Sequence, residues 1–241
     1  MPLTDKIEVP RRTMVLFFVI DTSGSMHGDK IGSVNSAIDE VIPDIKELSD
    51  QNADAQIKIA VLTFSSGATW ITQSGPIELD QFRWNYLDAE GVTDLGEACK
   101  ALDEKLSTKA FMQEATGSFA PAIILFSDGE PTDDWQSGLA KLRQNNWFNA
   151  GIKVAIAIGD DANKDVLKEF TGTREAILEV HNKVILKKMI KFVSIRASQV
   201  ASKSSNIGSA SDEQKQQELN ESLQELVEEV AASPDNDQHD W

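Results

Sequence analysis

The chain has 241 residues, enough for one large domain or two small ones. Apolar residues make up 41% and charged residues 26%, an ordinary globular balance that excludes a fibrous or wholly disordered chain. Charge is the outlier: 23 Lys and Arg against 39 Asp and Glu leave a formal net of −16, which repels nucleic-acid phosphates and anionic lipid surfaces and favours divalent cations and basic protein surfaces.

Residues 1–12 read as an N-terminal extension; they include Asp5 and Glu8 and lack a secretory pattern. Thr13 to Ile20 is a near-continuous apolar run, too short to span a bilayer and typical of a strand buried on both faces. Ile31 to Leu48 carries apolar residues at helical spacing, and Ile57 to Phe64 is a second strand. Residues 65–68 form a turn, and Thr69 to Thr72 a short third strand returning beside the second. Asp94 to Leu106 is a helix whose stripe of Leu95, Ala98, Cys99, Leu102 and Leu106 places the lone cysteine in the core. A single cysteine also excludes an internal disulfide framework, and with the missing secretory pattern the expected location is cytoplasmic. There follow a strand at Pro121–Phe126, a helix at Trp135–Gln144, a strand at Lys153–Ile158, a helix at Lys164–Phe170, a short strand at Ile177–Val180 and a helix at Val184–Gln199. This alternation predicts an α/β fold for residues 13–202. The sheet should be doubly wound and mainly parallel, with about six strands, one short antiparallel edge strand and helices on both faces.

Residues 203–241 differ in kind. They hold ten acidic residues and two lysines, half of the net charge of the whole chain. Lys203 to Ser211 is a Ser/Gly stretch with linker composition. Ser211 and Gln214 stand at capping-box spacing, and Leu219, Leu223, Leu226, Val227 and Val230 then follow helical periodicity. The expectation is an acidic tail dispensable for folding: a flexible linker, one amphipathic helix over about 212–231 and a disordered end, the helix being a solvated and weakly docked segment or, as alternatives, a self-docking latch or a partner-binding motif.

Function should reside where buried strands run into polar loops, because ligands of open α/β sheets bind at the carboxyl ends of strands near the topological switch point. The first strand runs into Asp21-Thr-Ser-Gly-Ser25, in which Asp21, Ser23 and Ser25 are two residues apart and share a side if the backbone stays extended. The strand ending at Phe126 runs into Ser127-Asp128-Gly-Glu-Pro. Between them, Gly91-Val-Thr-Asp-Leu-Gly96 places Thr93 at a helix start. Asp21, Ser23, Ser25, Thr93 and Asp128 make a candidate set of three hydroxyls and two carboxylates. No His or Cys stands at ligand spacing, so the donors suit a hard cation, Mg²⁺ foremost, with Mn²⁺ or Ca²⁺ as alternatives. Trp135, His27 and Glu130 are candidates for the rim of a partner-binding face.

The order Asp-x-Ser-x-Ser after a hydrophobic strand, then Thr, then Asp-Gly after a second such strand resembles the metal-ion-dependent adhesion site of von Willebrand factor A domains. The resemblance runs from about Thr13 to Ser202 and implies a Rossmann-like sheet. It further implies that Ser23, Ser25 and Thr93 approach the metal directly, while Asp21 and Asp128 act on it or through bound waters. Residues Ser127 to Trp135 and Ala155 to Ala162 are more narrowly similar to the small bacterial A-domain (TerY-like) proteins of tellurium-resistance operons. That likeness implies a stress-response or tellurium-resistance setting, and as partner an operon-encoded kinase or PP2C-type phosphatase. A dication held mainly by neutral hydroxyls keeps much of its charge and will take a stronger oxygen donor. The expected function is therefore a non-enzymatic, Mg²⁺-dependent adaptor or scaffold that captures an Asp or Glu of a protein partner, with no role for nucleic acid or membrane. The alternatives are a metal-dependent phosphatase or phosphotransferase on a similar sheet and a structural subunit with a purely stabilising metal. Against the first, Ser23 stands where a phosphotransferase of the haloacid-dehalogenase type carries its acidic group, and a hydroxyl cannot serve as general acid near neutral pH.

Overall fold

The computed structural model describes residues 11–53, 55–113, 117–160, 162–201 and 212–232. Within them the chain runs β1 (Arg12–Asp21), α1 (Asp29–Gln51), β2 (Ala55–Ser65), β3 (Gly67–Trp70), β4 (Ile77–Glu78), α2 (Leu95–Lys105), β5 (Ala122–Ser127), α3 (Trp135–Leu142), α4 (Asn146–Ala150), β6 (Ile152–Ile158), α5 (Lys164–Thr171), β7 (Ile177–Val180), α6 (Lys183–Ala201) and α7 (Asp212–Ala231). The strands form one sheet in the order β3-β2-β1-β5-β6-β7, with β4 also pairing β2. All neighbours are parallel except β3 and β4, which both run antiparallel to β2.

Alternation along the central strands divides the core in two. On β1, Met14, Leu16, Phe18 and Ile20 enter one apolar cluster with α1, α6 and α7; Val15, Phe17 and Val19 enter the other, with α2, α3 and α5. Side chains on a strand alternate between faces, so a continuous apolar run is what a strand covered on both sides requires. The same division recurs on β5, where Ile124 and Phe126 face one cluster and Ile123 and Leu125 the other. On the second face α2 and α3 approach so closely that a Cβ on Gly138 would lie 2.6 Å from the Gly96 carbonyl oxygen.

The helix expected over 212–231 is present as α7, but its setting is that of a core element. Leu219 and Leu223 are fully buried, and Leu226 and Val230 nearly so. They join the apolar cluster that also holds Leu178 and Val180 of β7 and Met189, Ile190 and Val193 of α6. Gln216 anchors the start of the helix by accepting from the Lys153 amide at 3.0 Å and donating to the Lys153 carbonyl at 3.3 Å. Its side chain thus meets both backbone groups of a residue at the start of β6. Of the apolar stripe that marked the helix in the sequence, Leu219, Leu223, Leu226 and Val230 dock, while Val227 stays exposed. Residues 1–10, the linker at 203–211 and the end at 233–241 lie outside the described residues.

Candidate metal centre

β1 and β5 are neighbours at the centre of the sheet, and the chain order reverses between them. Each ends at a polar loop, so the switch point gathers the first and last parts of the candidate site. Ile20 pairs with Phe126, which brings Asp21 beside Ser127. The Ser127 hydroxyl donates to Asp21 Oδ2 at 2.6 Å, and the Ser23 amide donates to Asp21 Oδ1 at 2.9 Å. Both oxygens of a wholly buried carboxylate are thereby fixed. Burial nonetheless dominates its protonation: desolvation pushes the Asp21 carboxyl up to about 6 against these hydrogen bonds, with a smaller push from the Asp128 charge.

Ser23 is buried and its hydroxyl lies 3.0 Å from that of Ser25, which is exposed. One turn of 3₁₀ helix over Gly24–Met26 curls the loop. It is tied to the middle loop by the Gly24 amide, which donates to the Gly91 carbonyl at 3.0 Å, and by the Glu90 amide, which donates to the Thr22 carbonyl at 2.8 Å. Thr93 is buried and clamped to the third loop: its amide donates to Thr132 Oγ1 at 3.0 Å, while the Thr132 amide donates to the Thr93 carbonyl at 2.8 Å. Asp133 adds a further tie by accepting from the amides of Gly96 and Glu97, both at 3.1 Å. Asp128, 2% exposed, is held through its carbonyl by the Asn163 amide at 2.7 Å. Its Oδ2 faces the Lys30 ammonium at 3.4 Å, and its Oδ1 is buried with no hydrogen-bond partner.

The three loops that carry the five expected residues are therefore cross-linked at the carboxyl end of the sheet. A buried carboxylate oxygen without a donor costs free energy unless something positive meets it. With two carboxylates and three hydroxyls at one strand-end face, the residues present fit a hard dication; Asp21, Ser23, Ser25, Thr93 and Asp128 would hold it, some through water. Of the expected rim, His27 is exposed at the end of the 3₁₀ turn, and Glu130 is exposed and accepts from Asn163 Nδ2 at 3.3 Å. Trp135 opens α3 but is only half-exposed, and its ring packs against the cluster beneath α2 and α3. Cys99 is fully buried, and burial pushes its thiol up to about 12, as a core residue should show.

Four contributors escaped the sequence reading: Ser127, Thr132, Asn163 and Lys30. Ser127 had a signal, since it is the last β5 residue, beside the Asp that was singled out. The other three act across loops, through contacts that no local spacing encodes.

A family model for the von Willebrand factor type A domain matches residues 16–190, and the chain belongs to that family. No curated protein sequence matches it. Among solved structures, proximal thread matrix protein 1 from the mussel byssus is similar at TM-score 0.57 and 16% identity, over 78% of this chain and 48% of that one. A second structure of the same protein, with a zinc-occupied MIDAS motif, aligns at 0.56 with 16% identity and the same coverages. A von Willebrand factor type A protein from Catenulispora acidiphila aligns at 0.54 with 18% identity, over 77% and 43%. The chain thus spans less than half the length of these structures, and at such identity the likeness concerns the fold. α7 lies beyond the family match.

Proposed function

We propose that this protein is a non-enzymatic binding module that captures a carboxylate of a protein partner through a divalent cation held by Asp21, Ser23, Ser25, Thr93 and Asp128. The observation that carries this reading is Asp128 Oδ1, buried and without a hydrogen-bond partner, in a loop cross-linked to the other two. The bound ion would supply a partly unsatisfied positive charge at the surface. The protein's own residues do the rest. Ser127 and the Ser23 amide orient Asp21, Thr132 and Asp133 lock the loop of Thr93, and the exposed Ser25 hydroxyl leaves one side accessible. Mg²⁺ suits an all-oxygen donor set, with Mn²⁺ as its practical substitute. Zinc in the motif of a structural relative supports a divalent ion without choosing it.

The finer setting rests on sequence resemblance: a cytoplasmic adaptor of the bacterial stress-response or tellurium-resistance type, with a kinase or a PP2C-type phosphatase as partner. Among the described residues no helix is long and apolar enough to cross a membrane. The test is affinity capture from native-cell extract on the immobilised full chain, read by mass spectrometry. Proteins retained in Mg²⁺ should be lost both in chelator and on an Asp128→Ala bait. An identical set in all three arms would reject the reading.

A further inference from the structure

We propose that Lys30 is a built-in counter-cation of the metal centre: it holds Asp128 in the metal-free protein and keeps metal affinity low until a partner arrives. The proposal rests on the metal reading above and goes beyond it, because Lys30 is outside the expected ligand set.

Lys30 is the second residue of α1. A cation in a first helical turn faces the positive end of the helix dipole, so this is an unfavourable place for lysine. The side chain is also only 14% exposed, although an ammonium ion is strongly hydrated in water. Two local preferences are thus broken at one residue, and the contact with the Asp128 carboxylate offsets part of that cost. Gly28, with φ of +83°, lets the chain swing from the 3₁₀ turn into α1, and Lys30 then reaches back to Asp128 Oδ2, 98 residues away in sequence, at 3.4 Å. With Oδ2 on the ammonium, the unpaired oxygen is Oδ1.

Asp21 and Asp128 are both buried at this strand-end face, and without a cation between them two like charges there repel one another. A fixed ammonium offsets that repulsion. The same charge then opposes an incoming dication, with which it must share Asp128. Metal alone would bind weakly, and a partner carboxylate, adding negative charge to the assembled site, would restore the balance. Occupancy thereby becomes coupled to partner binding.

The experiment is a calorimetric titration of Mn²⁺ into the full chain at fixed ionic strength, with wild type, Lys30→Met and Lys30→Arg. Lys30→Met keeps the alkyl stem and removes the charge, and should bind Mn²⁺ about tenfold more tightly. Lys30→Arg should stay within about threefold of wild type. Melting temperature gives a second readout: Lys30→Met should melt lower than wild type in chelator and recover in excess Mn²⁺. A purely structural lysine would lower both alike. Should the methionine variant fail to fold, Lys30→Gln takes its place. Wild type that binds Mn²⁺ while the neutral variant binds it equally or more weakly overturns the role of Lys30 and leaves the metal reading intact. No uptake by either protein overturns both.

Discussion

Shortening Leu223 to alanine tests whether α7 belongs to the cooperative fold. Leu223 is fully buried among the residues that α6 and the sheet present to α7. Its truncation removes buried methyl groups and leaves a void that neighbouring side chains fill only in part, a loss of about 3 kcal/mol for a site of this kind. For a domain of this size each kcal/mol moves the melting temperature by roughly 2–4 °C, so the expected drop is about 6–12 °C. Val227, on the same helix but 43% exposed, is the internal control: Val227→Ala should change stability by less than about 0.5 kcal/mol. Calorimetry on the full chain should show one transition, shifted by Leu223→Ala and barely moved by Val227→Ala. If both variants melt with wild type, or if a small separate transition takes up the whole effect of Leu223→Ala, then α7 is an independent appendage and its burial contributes nothing to the body.

The pH response of Asp21 should be visible in the metal-free protein. Its carboxyl titrates at about 6 in the fold against an unperturbed 3.8, so the stabilisation tied to its protonated form is complete below about pH 4 and is lost as pH rises through 6. In chelator, the stability of Asp21→Asn relative to wild type should therefore rise between pH 4 and pH 7, by up to roughly 3 kcal/mol from a shift of about two pK units. A flat difference in denaturant titrations would contradict this. Gly138→Ala should destabilise the domain by about 1–3 kcal/mol despite alanine's better helix propensity, because the new Cβ meets the backbone of Gly96 rather than a side chain that could move. Since Gly96 is the second residue of α2, three after Thr93, this variant should also weaken Mn²⁺ binding, which the same calorimeter measures.

Much of the architecture was legible because β1, β2, β5 and β6 are buried on both faces and so declare themselves as apolar runs. The five candidate residues stood out because they lie at the end of β1, in the loops that leave β1 and β5, and in the loop that leads into α2. What local pattern could not carry was short or non-local. β4 is two residues long and gains its identity only by pairing Lys58 and Ile59 of β2. α4 has five residues, fixed by the Asn145 side chain accepting from the amides of Trp147 and Phe148. The sequence of α7 announces an amphipathic helix, yet whether its stripe stays in water depends on the surface that α6 and β6 offer. Acidity and the Ser/Gly stretch before it favoured a free tail, and the docked leucines show that charge on one face says little about the other. Lys30 was invisible for the same reason, since its partner lies 98 residues downstream.

The claim on which the account turns is that one divalent ion sits at the junction of the three loops. Manganese EPR measures it directly, because free hexaaquo Mn²⁺ gives a sharp six-line spectrum and bound Mn²⁺ a broadened one. Titrating the full chain should show one ion taken up per molecule. Asp128→Asn should release it while leaving the circular dichroism spectrum and the fold intact. No uptake at millimolar Mn²⁺, or uptake that Asp128→Asn leaves unchanged, would contradict the account.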